Sequence, residues 1–224
     1  LWKEAGPLTY KGKYYDIEDA AIYPPRVSQP NPTIFLAGSS EPGKRVAARF
    51  GDVHLMYAAE PEVIAADIRE GRSLSEQFPR ARPLEFGIRH LICVRETKAE
   101  ARKAAESLVD ASAIEHTSAW ADMKNRTESV GQRRTNVLAS QGNLWLSEAV
   151  WMGVNQVRAG AGMMFVGTPE MVARVIREYA DAGVNHFIMN GWPHLEEAEI
   201  FGREVLPLLQ DTHPLVLEEP IAAT

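Results

Sequence analysis

The chain has 224 residues, 45% of them hydrophobic, which is enough apolar material for the core of one large domain or two small ones. Its formal net charge is −6 and its 24 lysines and arginines are scattered, so no basic surface predicts binding to nucleic acid or to acidic lipid. No apolar run reaches the roughly 20 residues that span a bilayer, and no charged-then-apolar leader stands at the start, so we expect a cytoplasmic protein with no membrane partner.

The first predicted element is a short β-hairpin. Residues 10–32 alternate aromatic with other side chains and then become rich in proline, which is typical of two short strands and an extended lead into the next strand. We expect this segment to be an excursion from the main sheet.

Four apolar strands then alternate with amphipathic helices. The helix predicted over 168–183 has the clearest ends, with Thr168 as N-cap, Pro169 in its first turn and Gly183 at its close. This alternation predicts a parallel sheet covered by helices. Cys93, in the third strand, is interpreted as a small buried hydrophobic residue. The predicted strands cover 33–38, 52–57, 85–96 and 186–191, and the other helices cover 39–50, 61–78, 98–110 and 195–209.

A long segment, 111–167, interrupts this order. It is too long for an ordinary connection and too apolar to be disordered, and we predict helices over 125–139 and 146–157 within it. Its run VRAGAG, 157–162, spaces glycines next to a buried MMFVG run. Glycines remove side-chain bulk and permit positive φ, so we predict a mobile lid here, with a plain linker as the alternative.

The number of strands predicts a half-barrel. Four β-α units leave two unpaired parallel edges and a face without helices, whereas parallel sheets occur almost only with both faces covered. Closing the sheet takes about eight strands, as in the (β/α)₈ barrel. The chain also begins LWKEAGPLTY, without a methionine. We therefore expect one α/β domain over 1–224 that is the C-terminal half of a (β/α)₈ TIM-type barrel, its N-terminal half being missing from this sequence.

Several long motifs carry a resemblance to a known family. The chain resembles the bacterial luciferase-like flavin monooxygenases, most closely the alkanesulfonate monooxygenases, from the hairpin to about Leu209. The motifs that carry this resemblance are IFLAGSS, FGIR with VRET after it, ESVGQRR followed by AVWMGVNQVRAGAGMMFVG, and NGWPHLEEA.

The resemblance implies a function as well as a fold. It implies strands five to eight of the barrel, with reduced FMN (FMNH2) supplied by a separate NAD(P)H:flavin reductase. Oxygen would then be used to cleave the carbon–sulfur bond of a small anionic sulfonate, giving an aldehyde and sulfite, in a protein that is a homo-oligomer and needs no metal. The catalytic cysteine of the family would lie in the missing half, so Cys93 is not its equivalent.

The first candidate site is Gly38-Ser39-Ser40, at the start of a helix. Backbone N–H groups, two hydroxyls and the helix dipole favour a phosphate here, and the resemblance implies the FMN phosphate. The alternative is an ordinary serine N-cap.

The second candidate site is the strand EFGIRHLICV. Alternation puts Arg89 on one face and His90 on the other, and an arginine in so apolar a strand needs a partner, such as a sulfonate or an anionic flavin. The family has a histidine two residues after this arginine, where Leu91 stands here. Either a bulge rotates His90 inward or its role is absent.

The remaining candidates are Trp192, His194 and Arg158. Trp192 stands where the alkanesulfonate enzymes have a tyrosine, so it keeps a stacking surface but lacks the ionisable hydroxyl. His194 matches the family and is interpreted as lying near flavin or substrate, or as capping the helix after it. Arg158 precedes the glycine-spaced run and would hold an anion as the lid closes.

Other functions remain open at this point. One is a relative that oxidises a sulfone, an alkane or an amine-carboxylate, or that transfers hydride with a deazaflavin. Another is a non-catalytic half-barrel that binds flavin.

Overall fold

A computed structural model describes residues 1–2, 6–25, 27, 32–109, 127–140, 142–157 and 162–210. The chain forms two compact units, Leu1–Ile34 and Phe35–Thr224. None of the helices in these described ranges has both the length and the apolar character that crossing a membrane requires.

The first unit contains a β-hairpin. Strand β1 (Leu8–Lys11) pairs antiparallel with β2 (Asp16–Ala20), and a bulge follows Leu8. The turn between them is closed by the Gly12 N–H, which donates to the Tyr15 carbonyl at 2.8 Å. The hairpin predicted within 10–32 is therefore present, beginning two residues earlier than expected.

The second unit is a six-stranded, mostly parallel sheet with helices between its strands. Its strands are β3 (Phe35–Ala37), β4 (Val53–Met56), β5 (Glu85–Val94), β6 (Val150–Trp151), β7 (Met164–Gly167) and β8 (His186–Asn190). Its α-helices are α1 (Glu41–Phe50), α2 (Pro61–Ser75), α3 (Lys98–Ser107), α4 (Val130–Ser140), α5 (Pro169–Asp181), α6 (His194–Ile200) and α7 (Leu206–Gln210), with a π-helical turn, Phe201–Val205, joining the last two.

Strand β5 is the centre of this sheet. Its first residues pair in parallel with β4, its middle with β8 and its last four with β7. Strand β3 continues the parallel sheet beyond β4, whereas β6 pairs antiparallel with β7. The predicted parallel sheet is confirmed, and the antiparallel edge strand is an addition to it.

The two faces of β5 belong to two apolar clusters. Phe86, Ile88 and Ile92 pack with residues of α2 and α5 in the larger cluster. Leu91 and Cys93 pack in the smaller cluster with alanines of α3. The Cys93 side chain is buried, as predicted, and burial raises the pKa of its thiol to about 11, so the thiol is not ionised at neutral pH.

The helix predicted over 146–157 is wrong. Residues 150–151 form strand β6, and the following Gly153–Gln156 is a single 3₁₀ turn. The backbone N–H of Val166 donates to the Ala149 carbonyl at 2.8 Å, which ties this segment to β7. Pairing with β7, the next strand along the chain, has therefore overridden the local helical pattern.

Candidate active site

The carboxyl ends of β3 and β4 meet the middle of β5 around a cavity of about 160 Å³. In a parallel sheet these ends lie at one edge, where polar loop residues converge. The polar and small residues of its lining are Ala37 at the end of β3, Gly38 and Ser39 after it, Tyr57 and Ala58 after β4, Arg89 of β5, and Gly162. The structure thus brings together Gly38, Ser39 and Arg89, three of the residues predicted from the sequence.

The loop after β3 packs tightly against the first turn of α1. A Cβ at Gly38 would lie 3.2 Å from the Gly43 Cα, closer than most Cβ atoms come to a neighbour, and φ is +156°, so glycine is favoured here. The Ser40 Oγ accepts a hydrogen bond from the Gly43 N–H at 3.3 Å, which makes Ser40 the N-cap of α1. Ser39 lines the cavity and Ser40 does not, so the two serines have different surroundings.

Replacing Ser40 by alanine should lower the free energy of unfolding by about 1 kcal/mol, because the helix loses its N-cap hydrogen bond. Ser39→Ala is the matched control, since the described residues give the Ser39 hydroxyl no cap bond, and it should change stability by less than about 0.5 kcal/mol. Urea unfolding of both variants measures the difference. Equal losses in the two variants would contradict the assignment of Ser40 as the cap.

Arg89 presents a positive charge to the cavity. It is half-buried, and its Nη2 donates to the Asn190 Oδ1 at the long distance of 3.4 Å. Across the described residues, no carboxylate lies within 4.0 Å of its guanidinium, whereas Arg95, Arg134 and Arg174 each have at least one. An arginine in this position is suited to bind an anion from solution.

Tyr57 is a site residue that the sequence analysis missed. Its hydroxyl donates to the Gln132 Oε1 at 2.7 Å, which links the end of β4 to α4. Burial raises the pKa of this phenol, and the nearby Arg89 lowers it by less, so the hydroxyl keeps its proton at neutral pH. A Cβ at Gly131 would lie 2.5 Å from the Tyr57 ring, so glycine lets α4 approach. The available signal was the position of Tyr57 at the carboxyl end of a predicted strand.

His90 does not line the cavity, and this corrects the expectation that it belongs to the site. Pairing of β5 with β8 is regular through Arg89 and His90, so no bulge turns the imidazole inward. The ring is fully buried, stacked on Phe165 with centroids 4.2 Å apart and tilted against Tyr179 at 5.0 Å. Burial lowers the pKa of His90 to about 3. The structure therefore favours the alternative in which the role of that histidine is absent.

Trp192 lies in the turn after β8, and His194 is the first residue of α6. The His194 Nδ1 lies 2.5 Å from the Gly191 carbonyl oxygen. Because a carbonyl only accepts, Nδ1 carries the proton, and Nε2 of the neutral ring is an acceptor. His194 therefore stabilises the turn before α6, whose N-cap is Pro193. The Trp192 ring is half-buried against the smaller apolar cluster, 6.0 Å from the His194 ring.

A larger cavity, about 1170 Å³, runs along β8 and is lined in part by Arg89, Asn190 and His194. Arg89 thus lies between the two cavities and contributes to both. Trp192 borders neither cavity, although the neighbouring His194 ring borders the larger one. The predicted residues around β8 are therefore near Arg89, and His194 is the one that shares a cavity with it.

A buried ion pair holds this turn against β5. Glu197 is fully buried and accepts from the Arg95 Nη1 at 2.5 Å and from the Val94 N–H at 3.1 Å. Its carboxylate satisfies a backbone donor at the end of β5 that β8, ending at Asn190, does not reach. The turn that carries Trp192 is thus fixed at its α6 end by Glu197 and at its other end by the pairing of Asn190 with Leu91.

Arg158 and the lid assigned to it lie outside the described residues. Gly162, the last glycine of that run, is described, has a φ of +72° and lines the smaller cavity. The Asn155 Nδ2 donates to the Gly162 carbonyl at 2.5 Å and to the Met152 carbonyl at 3.1 Å. Asn155, before the residues that are not described, is thus hydrogen-bonded to Gly162, after them, and Gly162 lines the same cavity as Arg89.

The family profile of the luciferase-like monooxygenases matches residues 1–186. The chain belongs to the luciferase-like monooxygenase family. This finding confirms the family predicted from the motifs and accounts for the mostly parallel α/β sheet.

Solved structures support the fold of this luciferase-like chain. It is similar to DmoA from Hyphomicrobium sulfonivorans (18% identity, 94% of this chain and 48% of that one, TM-score 0.66). It is also similar to the riboflavin lyase RcaE, solved with modified FMN and riboflavin (19%, 92% and 48%, 0.64). A third is the EDTA monooxygenase EmoA from Chelativorans sp. BNC1 (22%, 93% and 51%, 0.62). The chain spans about half the length of each.

Proposed function

We propose that this chain supplies the flavin-phosphate and substrate-anion sites of a flavin-dependent monooxygenase. The protein would use reduced FMN and oxygen to cleave the carbon–sulfur bond of a small alkanesulfonate, releasing an aldehyde and sulfite. The observation that carries the proposal is Arg89, a half-buried guanidinium without a carboxylate partner among the described residues, facing a cavity beside a helix start. Within the proposal, the chain forms the C-terminal half of a (β/α)₈ barrel.

The loop after β3 would hold the flavin phosphate. Neither the Ser39 nor the Ser40 N–H donates to a backbone carbonyl of the described residues, so both are available to an anion. The helix dipole adds to this preference. Glu41 in the first turn of α1 opposes it, so the hydrogen bonds must outweigh the repulsion of that carboxylate.

Arg89 would bind the sulfonate, and Tyr57 and His194 would border the substrate. A guanidinium can donate two parallel hydrogen bonds to a sulfonate, which fixes the direction of the carbon–sulfur bond. The Tyr57 hydroxyl donates its proton to Gln132, so towards the substrate it can only accept a hydrogen bond, as can the Nε2 of His194. The flavin would supply the electrons that activate oxygen, while these residues orient the substrate and exclude water.

The test is sulfite release by the purified protein with FMN, NAD(P)H and a separate flavin reductase. Small alkanesulfonates should give sulfite and aldehyde in equal amounts, and omitting either FMN or the reductase should abolish release. A parallel panel of sulfones, alkanes and amine-carboxylates checks the related substrates. Oxidation of one of these without sulfite from any sulfonate would contradict the proposed substrate but retain the flavin chemistry.

A further inference from the structure

His54, a residue of β4, makes the only hydrogen bond that the described residues give to the Gly38 carbonyl, at the start of the loop after β3. Its side chain is almost fully buried, with 1% exposed, and its Nε2 lies 2.8 Å from the Gly38 carbonyl oxygen. The ring meets the edge of Phe86 with centroids 6.2 Å apart. An imidazole in an apolar strand thus reaches the first residue of the candidate phosphate loop.

The hydrogen bond fixes the tautomer of His54. Because the Gly38 carbonyl only accepts, Nε2 carries the proton, and Nδ1, which has no hydrogen-bond partner among the described residues, is the bare nitrogen of a neutral ring. Burial lowers the pKa of this imidazole more than the hydrogen bond to the Gly38 carbonyl raises it; nearby Lys44 lowers it further, while Asp67 and Glu70 on α2 act in the opposite direction. The donor at Nε2 is therefore constant across neutral pH.

Peptide geometry carries the effect of this bond to the cavity. The Gly38 carbonyl and the Ser39 N–H belong to one trans peptide, so they point in opposite directions. The carbonyl points at His54, hence the Ser39 N–H points away from His54. Ser39 is a cavity residue and its N–H is not used by a backbone carbonyl of the described chain. Fixing the carbonyl therefore fixes the direction of the first donor of the loop.

We propose that His54 is a positioning residue for the phosphate loop. By holding the Gly38 carbonyl, it keeps the Ser39 N–H, the first donor of the loop, aimed at the phosphate before the ligand arrives. This inference rests on the proposed binding of FMN at Gly38–Ser40. It extends that proposal to a residue that never touches the flavin and lies on the opposite side of the loop.

Two amide variants test this role with a difference of one methylene. In His54→Gln the side-chain amide can reach the place of Nε2 and donate to Gly38, whereas in His54→Asn it stops near the place of Nδ1. Dissociation constants are measured for FMN and for riboflavin, which lacks the phosphate. We expect the preference for FMN over riboflavin to fall about tenfold in His54→Asn, and in His54→Met, and to stay within about threefold in His54→Gln.

Each outcome decides between the roles. Equal weakening of both ligands in His54→Asn would show a general structural role and overturn the proposal, as would an unchanged preference for FMN. A wild-type protein that binds FMN no better than riboflavin would instead remove the phosphate assignment. If the Asn and Met variants do not fold, ¹⁵N spectra of the wild type decide: the His54 Nε2 and Ser39 N–H signals should move with FMN and not with riboflavin, and the proposal fails if neither moves.

Discussion

Replacing Arg89 by alanine should lower kcat/KM for an anionic sulfonate by about 100-fold to 1000-fold. Each hydrogen bond from a charged donor contributes roughly 1.5–3 kcal/mol, and a guanidinium makes two of them to a sulfonate, which together give about 3–6 kcal/mol. A loss of 100-fold to 1000-fold corresponds to about 3–4 kcal/mol, the lower part of that range. The fold should persist, because the described contacts of Arg89 include a single long hydrogen bond to Asn190 and no ion pair. Steady-state sulfite release and circular dichroism measure the two effects.

Arg89→Lys separates charge from geometry. Lysine keeps the positive charge but has no planar pair of donors, so it should recover part of the activity and leave KM raised. Arg89→Gln, which has no charge, should behave like alanine. Full activity of the glutamine variant on a sulfonate would show that the guanidinium does not bind the substrate anion.

His90 should make the protein less stable as the pH falls. Its pKa is lowered by burial from an ordinary value of 6.5 to about 3, so the unfolded chain binds the proton more readily than the folded one. The contribution of His90 to the free energy of unfolding is therefore complete above pH 6.5 and is lost progressively as the pH falls towards 3. With about 1.4 kcal/mol per pH unit, it amounts to roughly 2 kcal/mol between pH 6.5 and 5.

His90→Phe tests this effect, since phenylalanine can keep the stack on Phe165 and cannot bind a proton. The free energy of unfolding is measured in urea at pH 7 and at pH 5. Its decrease between the two pH values should be about 2 kcal/mol smaller in the variant than in the wild type. His186→Phe is the control, because His186 is only partly buried and pairs with Glu85. A wild-type-to-variant difference that is the same at both pH values would refute the assignment.

Local signals explain what the sequence could predict. Thr168 does cap α5, and Gly183, at a φ of +105°, does end it, since capping depends on residues three or four positions apart. The apolar strands β3, β4, β5 and β8 were recognisable for the same reason. The loop Gly38–Ser40 and Arg89 followed from their places on these strands, together with the family motifs.

Tertiary contacts explain what the sequence could not predict. Whether 150–151 form a strand depends on β7 reaching them, and the helical pattern of 146–157 contains no sign of that partner. Tyr57 and His54 acquire their roles from Gln132 and Gly38, which are 75 and 16 positions away. The face on which His90 lies could not be predicted, because a shift of one position along the strand moves a side chain from the cavity to the core.

The turn after β8 separates the residues that hold its backbone from the residues that it presents. A Cβ at Gly191 would lie 2.6 Å from the Ile92 carbonyl oxygen and 2.7 Å from the Glu197 Cγ, so only glycine fits there, and Glu197 is buried in its ion pair. Trp192 is half-buried and His194 exposed. The Trp192 side chain can therefore be exchanged while the backbone stays in place, whereas His194, which binds the Gly191 carbonyl, belongs to the residues that hold the turn.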